Sequence, residues 1–299
     1  MNTIERALSK QEKDKKTKAD ENGTSHDSVS KDDIFGKSQA APPNPPKDPT
    51  KPASSAESIE IDLFKMEEKG FVSTSAKRRL INEEYRAIKR KIIDNAFGPL
   101  SKSLNNSNII MVTSSRPGEG KTFTAVNLAL SIALEQDKTV LLVDADVLRP
   151  NVMRTLELQN QDGLMEYLLG EKADIAEVMC QTNVPNLRII PAGKSHHLST
   201  ELLASEKMYD VVQEFANRYP DRIVIVDTPP LLGINETAIL ANLAGQAIVV
   251  AEEQATKISD IQEAVGQLNP DMAIGFVVNK GQKINRNGTG YGYYYAGAN

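Results

Sequence analysis

Six short runs of apolar residues mark the chain at intervals: the stretch after Asn108, then Thr139–Asp144, Leu187–Pro191, Arg222–Asp227, Gln246–Ala251 and Ala273–Val278. Most are continuous rather than alternating, the pattern of strands covered on both faces. Helical spacing fills most of the gaps. After the first run, Ala125, Leu128, Ala129 and Ile132 fall on one face of a helix expected from Thr122 to about Gln136. Before it, from Ser75 on, Ile81, Tyr85, Ile88 and Ile92 share a face. Strand–helix alternation of this kind predicts an α/β fold with a doubly wound, mainly parallel sheet. In such sheets ligands sit beyond the carboxyl ends of the strands.

The flanks read differently. Residues 1–70 are first rich in Lys, Asp, Glu, Ser and Asn, then in proline from Ala40 to Pro52, and are expected to form a disordered arm. Within it Ile4, Ala7 and Leu8 share a helical face, which fits a short docking helix or a fraying one. A second apolar patch, Ile59 to Met66, is expected to pack on the folded domain, assigned to residues 71–285. Residues 286–299 form a glycine-rich tail carrying Tyr291, Tyr293, Tyr294 and Tyr295. Glycine makes such a tail mobile enough to enter another subunit's site.

Composition narrows the function classes. A net charge of −5 over 299 residues gives no electrostatic reason to expect nucleic acid as a partner. No apolar run approaches the ~18–20 residues that span a bilayer, and no signal-peptide core opens the chain. A cytoplasmic protein is expected, reaching the inner face of the membrane only through a partner. The single cysteine, Cys180, reads as a buried small hydrophobe in a reducing compartment.

The chemistry lies where strands end. Asn108-Ile-Ile-Met-Val-Thr-Ser-Ser-Arg-Pro-Gly-Glu-Gly-Lys-Thr-Phe123 reads as strand, phosphate-cradling loop and helix start. Lys121 places a charge on the β- and γ-phosphates, and the Thr122 hydroxyl ligates Mg²⁺. Ser115 stands where the G-x-x-x-x-G-K-[ST] pattern has its first glycine. Ser115, Gly118, Glu119, Gly120, Lys121, Thr122 and Phe123 are the expected nucleotide-binding positions. The second strand ends in Asp144-Ala-Asp146, with Arg149 beyond, and the fourth in Asp227-Thr-Pro-Pro230. Buried carboxylates cost several kcal/mol unless a cation compensates them. Phosphoryl transfer supplies that reason: Asp227 holds Mg²⁺ through water, Asp146 assists the metal, and Asp144 orients or deprotonates the acceptor. On the helix after Ser75, Glu83, Arg86 and Arg90 form a charged stripe. It serves either as a solvated face with intrahelical pairs or as a contact with a neighbouring subunit.

Ser114–Thr122, Leu141–Pro150 and Ile223–Pro230 resemble the Walker A, Walker A′ and Walker B motifs of the bacterial tyrosine kinases of capsule and exopolysaccharide systems. Asp162–Gly170 and Ser199–Ser205 are similar to further stretches of that family. The resemblance covers about Ser75 to Lys280, and the free-standing form with an Asn2–Leu8 arm is most similar to the exosortase-associated tyrosine autokinases. It implies a P-loop fold with a deviant Walker A, ATP and Mg²⁺ as cofactors, and Tyr291, Tyr293, Tyr294 and Tyr295 as phosphoacceptors. It also implies a ring-like or head-to-tail homo-oligomer, and a membrane-embedded polysaccharide co-polymerase or chain-length regulator as activator. Glu83, Arg86 and Lys89, followed by Arg90, resemble the family's E-x-x-R-x-x-R self-association element. Lysine at its last position keeps the charge but lacks the bidentate fork.

Two other readings share parts of this pattern. A MinD/ParA-type ATPase has the same sheet and aspartates, and Arg116 stands at that group's distinctive lysine. The tyrosine tail and the lack of a basic amphipathic C-terminal helix speak against it. A non-catalytic nucleotide-binding regulator of an export complex is the other, opposed by the intact Lys121, Thr122 and carboxylates. Asn279-Lys-Gly-Gln282 lacks the aspartate of guanine-specific loops, so ATP is expected, with Asn279 as an adenine contact. His196 and His197 lack acidic or thiol neighbours at ligand spacing and are expected in an exposed loop.

Overall fold

Each apolar run becomes a strand, and its alternate side chains feed opposite cores. In the computed structural model, which describes residues 58–73 and 79–281, the elements in chain order begin with α1 (Leu63–Glu68) and α2 (Leu80–Phe97), then a 3₁₀ turn. They continue with β1 (Ile109–Ser114), α3 (Lys121–Ala133), β2 (Thr139–Asp144), α4 (Val152–Thr155) and α5 (Leu164–Leu168). Next come β3 (Cys180–Gln181), β4 (Leu187–Ile190), α6 (Ser199–Leu203), α7 (Glu206–Asn217) and β5 (Arg222–Asp227). Last are α8 (Asn235–Ala241), β6 (Gln246–Glu252), α9 (Ile258–Val265) and β7 (Ala273–Asn279). The expectations for Asn2–Leu8, the proline-rich stretch and the tyrosine cluster fall outside the described residues.

The sheet has seven strands in the order β3-β4-β2-β5-β1-β6-β7, parallel except for β3 against β4. The doubly wound expectation holds, with β3 the strand that no pattern announced. Ile110, Val112, Leu142, Ile225 and Val250 point to a core shared with α2 and α3, while Met111, Val143, Val226 and Val249 point to the opposite core under α5–α9. Burial on both faces explains why the runs are continuous.

The folded part begins earlier than residue 71. Ile59, Ile61, Met66, Phe71 and Val72 are buried in the α2–α3 core. Backbone bonds from Ile59 to Gln181 and from Asn183 to Ile59 lay this segment along the short β3 edge. Cys180, on β3, is half-buried rather than enclosed, and burial pushes its thiol pKa up.

Helix α2 buries Tyr85, Ile92 and Ala96, and Gly98-Pro99 ends it. Lys89 departs from the expected stripe: its side chain is 8% exposed, donates to the Ser131 carbonyl oxygen (2.9 Å) and pairs with Glu135 (2.6 Å). Tyr85, Lys89, Ile92 and Ala96 follow one another at four- and three-residue spacing, so Lys89 lies on the buried face. Its ammonium fastens α2 to α3 within the chain. Glu83 and Arg86 pair with each other on the exposed face (2.7 Å), and Arg90 is exposed beside them.

Candidate functional site

The register of the sheet assembles the site. Parallel pairing of β2 with β5 sets Asp144 directly beside Asp227, and β1 lies on the other side of β5. β1 delivers Ser114 into the loop Ser115–Gly120, and α3 starts at Lys121. Gly120 has φ of 100°, left-handed backbone that lets the chain turn sharply into the helix. The loop is held from beneath. The Glu119 carboxylate accepts from its own loop at the Arg116 N–H (2.9 Å) and from the Thr256 hydroxyl, and Asn279 Nδ2 donates to the Glu119 carbonyl oxygen (2.9 Å). Arg116 Nε donates to Asp260 on α9 (2.5 Å). The two-histidine segment lies elsewhere, with His197 exposed and the rings packed on each other at 4.2 Å.

At the base of the loop four groups interlock. Thr122 Oγ1 donates to Asp227 Oδ2 (2.6 Å), and Lys121 Nζ pairs with Asp146 Oδ2 (2.6 Å). Asp227 is 0% exposed and its Oδ1 has no hydrogen-bond partner. Burial drives its pKa up, with Lys121 opposing. Burial also raises the pKa of Asp144, opposed by the backbone N–H groups of Val152 and Asn151 that bond it. For Lys121, burial works against the ammonium, but Asp227, Asp146 and Asp144 outweigh it and raise its pKa. An enclosed carboxylate oxygen without a donor, beside a threonine hydroxyl at a phosphate loop, is the donor set of a hard divalent cation that keeps several waters. Among the described residues no cluster of three His, Cys, Asp or Glu side chains would hold a metal alone. The residues fit a Mg²⁺ that also draws on phosphate oxygens.

The two aspartates after β2 divide their work. Asp144 accepts from the N–H groups of Asp146, Asn151 and Val152, at 3.2, 3.0 and 2.9 Å, and so shapes the turn. Asp146, not Asp144, lines the adjoining cleft of about 640 Å³. Lys121, Gly118, Arg149 and Arg154 line that cleft together with the apolar Pro150, Leu232 and Ile234. Asp144, expected to orient or deprotonate the acceptor, is 1% exposed, with both carboxylate oxygens accepting from backbone N–H groups.

Other expected positions divide in the same way. The half-buried Phe123 ring packs at a tilt of 52° against Phe71, with centroids 4.7 Å apart, at the edge of the core. Ser115 Oγ is buried without a partner, while its carbonyl oxygen accepts from Leu232 N–H. Asn279 reaches the loop itself. Thr256 and Asp260 support the loop and were not anticipated: each acts across more than a hundred residues of sequence, and neither stands in a recognisable local pattern.

A family model described as an AAA domain matches residues 107–270. The tyrosine-protein kinase YwqD of Bacillus subtilis is 32% identical over 233 residues, covering 76% of this chain and 92% of that protein. The tyrosine-protein kinase wzc of Salmonella typhimurium is 32% identical over 193 residues, covering 63% of this chain but 26% of that longer protein. Among solved structures, the kinase domain of the Escherichia coli tyrosine kinase ETK aligns at a TM-score of 0.60 and 25% identity, covering 79% of this chain and 93% of that one. The BceF tyrosine kinase domain aligns at 0.54 and 28% identity, covering 66% of this chain and 75% of that one. With a phosphate loop, paired strand-end aspartates and relatives of this kind, the chain belongs to the bacterial tyrosine-protein kinases, enzymes built on the P-loop fold.

Proposed function

We propose that the chain transfers the γ-phosphoryl group of ATP to Tyr291, Tyr293, Tyr294 and Tyr295 of another copy, and thereby regulates exopolysaccharide synthesis or export. The observation that carries this reading is the interlocked set Lys121–Asp146 and Thr122–Asp227, whose Lys121 and Asp146 line an open cleft together with Pro150, Leu232 and Ile234. Thr122, Asp227 and Asp146 are the residues that would hold Mg²⁺, directly or through water. When bound, the ion neutralises charge on the β- and γ-phosphate oxygens.

The loop N–H groups and the start of α3 bind the phosphates. Lys121, paired with Asp146 in this structure, moves onto the transferring phosphate, which leaves the Asp146 carboxylate free for the metal. Pro150, Leu232 and Ile234 offer the apolar surface on which a tyrosine ring packs and from which water is excluded. The phenol oxygen forms the new P–O bond as the bond from the γ-phosphorus to the bridging oxygen of ADP breaks. The phenolic proton leaves toward the Asp144–Asp146 turn, where burial favours the protonated carboxyl of Asp144.

Glu83, Arg86 and Arg90 on the exposed face of α2 are the proposed contact between copies, with Lys89 serving inside the chain instead. A membrane-embedded polysaccharide co-polymerase or chain-length regulator is the proposed activator, and it would bring a cytoplasmic kinase to the inner face of the membrane. No described helix is long and apolar enough to cross a bilayer. Kinship with YwqD and wzc favours the kinase over a MinD/ParA-type ATPase, and the intact Lys121, Thr122 and Asp227 favour it over a non-catalytic regulator.

The test is to incubate the protein with ATP and Mg²⁺ and map phosphate by mass spectrometry. Phosphate is expected on the tail tyrosines of the wild type, and at least about a hundredfold less with Lys121→Met. Phosphate incorporated equally by Lys121→Met would overturn the assigned site.

A further inference from the structure

The two edges of the sheet are finished in opposite ways. The β3 edge is two residues long and is covered by the backbone of the Ile59 segment. The β7 edge is seven residues long, Ala-Ile-Gly-Phe-Val-Val-Asn, and its only strand partner among the described residues is β6. It carries none of the devices that blunt an exposed edge: no proline, no lysine and no inward charge. Phe276 and Val278, two residues apart and on one face, are 56% and 66% exposed. On the other face β7 and α2 enclose a groove of about 330 Å³, lined by Ile88, Lys91 and Ile92 of α2 with Gly275 and Val277.

The sequence beyond β7 suits that edge. Lys280 has φ of 57°, a left-handed conformation that turns the chain at the strand's end, and Gly281 comes next. After a polar stretch comes Thr289-Gly-Tyr-Gly-Tyr-Tyr-Tyr295, which alternates with period two. Thr289, Tyr291, Tyr293 and Tyr295 form one set, and Gly290, Gly292 and Tyr294 the other. An aromatic set opposed by two glycines and a single tyrosine matches a strand with one face on an exposed apolar patch and the other against a close-lying helix and its groove. The residues between Gly281 and Thr289 are enough for a loop that returns alongside β7.

We propose that Thr289–Tyr295 docks in cis on the free edge of β7 as an added antiparallel strand, setting Tyr291, Tyr293 and Tyr295 over Phe276 and Val278, and Tyr294 in the α2–β7 groove. Backbone bonds supply the affinity and the alternating side chains the register. Since β7 ends beside the phosphate loop at Asn279, a strand running antiparallel to it leads the tyrosines away from Lys121. The docked tail is then a stored acceptor that must leave the edge before another copy can phosphorylate it. That consequence rests on the kinase reading; the docking does not. Each added phosphate brings close to two negative charges, which repel one another along the strand and keep a modified tail off the edge.

The experiment is amide hydrogen exchange on the full chain, without nucleotide, comparing wild type with Tyr291→Pro/Tyr293→Pro. The odd residues of β7 bond toward β6, so Phe276 and Val278 face the free edge, and the tail residues on their face, Tyr291 and Tyr293, are the ones whose N–H groups the prolines remove from the ladder. The β7 amides that are not bonded to β6 are expected to exchange about tenfold or more faster in the variant, and Phe276→Lys should give the same acceleration. Equal exchange in wild type and proline variant overturns the proposal. Protection that rises with protein concentration also overturns it, since a second copy would then cover the edge. Neither readout needs phosphoryl transfer, so failure here and failure of the kinase assignment are told apart.

Discussion

Two groups of charges in this molecule, one buried at strand ends and one exposed on a helix, obey different rules. Lys121, Asp144, Asp146 and Asp227 are buried or nearly so, and each aspartate sits at or just beyond the end of a central strand. Glu83, Arg86 and Arg90 are exposed on α2, where an ion pair is worth only about 0–1 kcal/mol. Burying a carboxylate is expensive, so its presence at a strand end demands a chemical reason. Exposing one costs little, so its presence on a helix surface demands none. Lys89 crosses between the groups: by sequence it belongs to the stripe, but by burial it behaves as a structural cation.

Substitutions sharpen this contrast, and the largest effect is expected at the buried group. Asp227→Asn removes the charge and keeps the shape. Phosphorylation should fall about a hundredfold or more, because the metal loses its carboxylate. Thermal stability should stay level or rise, since a fully buried negative charge is removed. A parallel loss of activity and Tm would mean that Asp227 is structural. Next comes Lys89→Met, which keeps the aliphatic stem but leaves the Ser131 carbonyl and Glu135 without their donor. Urea denaturation should show a loss of about 1–3 kcal/mol. An unchanged midpoint would place Lys89 back in the surface stripe. The smallest effect on stability belongs to Arg86→Ala, within about 0.5 kcal/mol for the isolated chain. Sedimentation velocity should nevertheless show weaker self-association. A protein that associates as before would leave the stripe a solvated face.

The same physics explains how much was readable beforehand. Strands β1, β2, β4, β5 and β6 were legible because burial on both faces forces long apolar runs, β7 shows such a run although Phe276 and Val278 are exposed, and the aspartates stood out because they terminate buried runs. The two residues of β3 carry no pattern, and the strand exists because Ile59 and Ile189 present backbone on either side of it. The direction of Lys89 was recoverable from its spacing to Tyr85 and Ile92, but a cation on an apolar face reads first as part of the neighbouring charges. The support of the loop by Asp260 and Thr256 was not recoverable, because contacts closed by folding between distant residues leave no local trace. The apparent defect of the loop, Ser115 in place of glycine, sits at the end of β1 with its side chain buried, so the turn does not need glycine there. The two glycines that matter, Gly118 and Gly120, have φ of 90° and 100°.

The central claim, transfer to the tail of another copy, is tested by mixing two variants with ATP and Mg²⁺. One carries Lys121→Met with an intact tail; the other keeps its site but has Tyr291, Tyr293, Tyr294 and Tyr295 changed to phenylalanine. Mass spectrometry of the separated partners should find phosphate on the tail tyrosines of the Lys121→Met chain, at a rate that rises with total protein concentration. A Lys121→Met tail that stays unmodified, while wild-type protein alone phosphorylates its own at a concentration-independent rate, would contradict it.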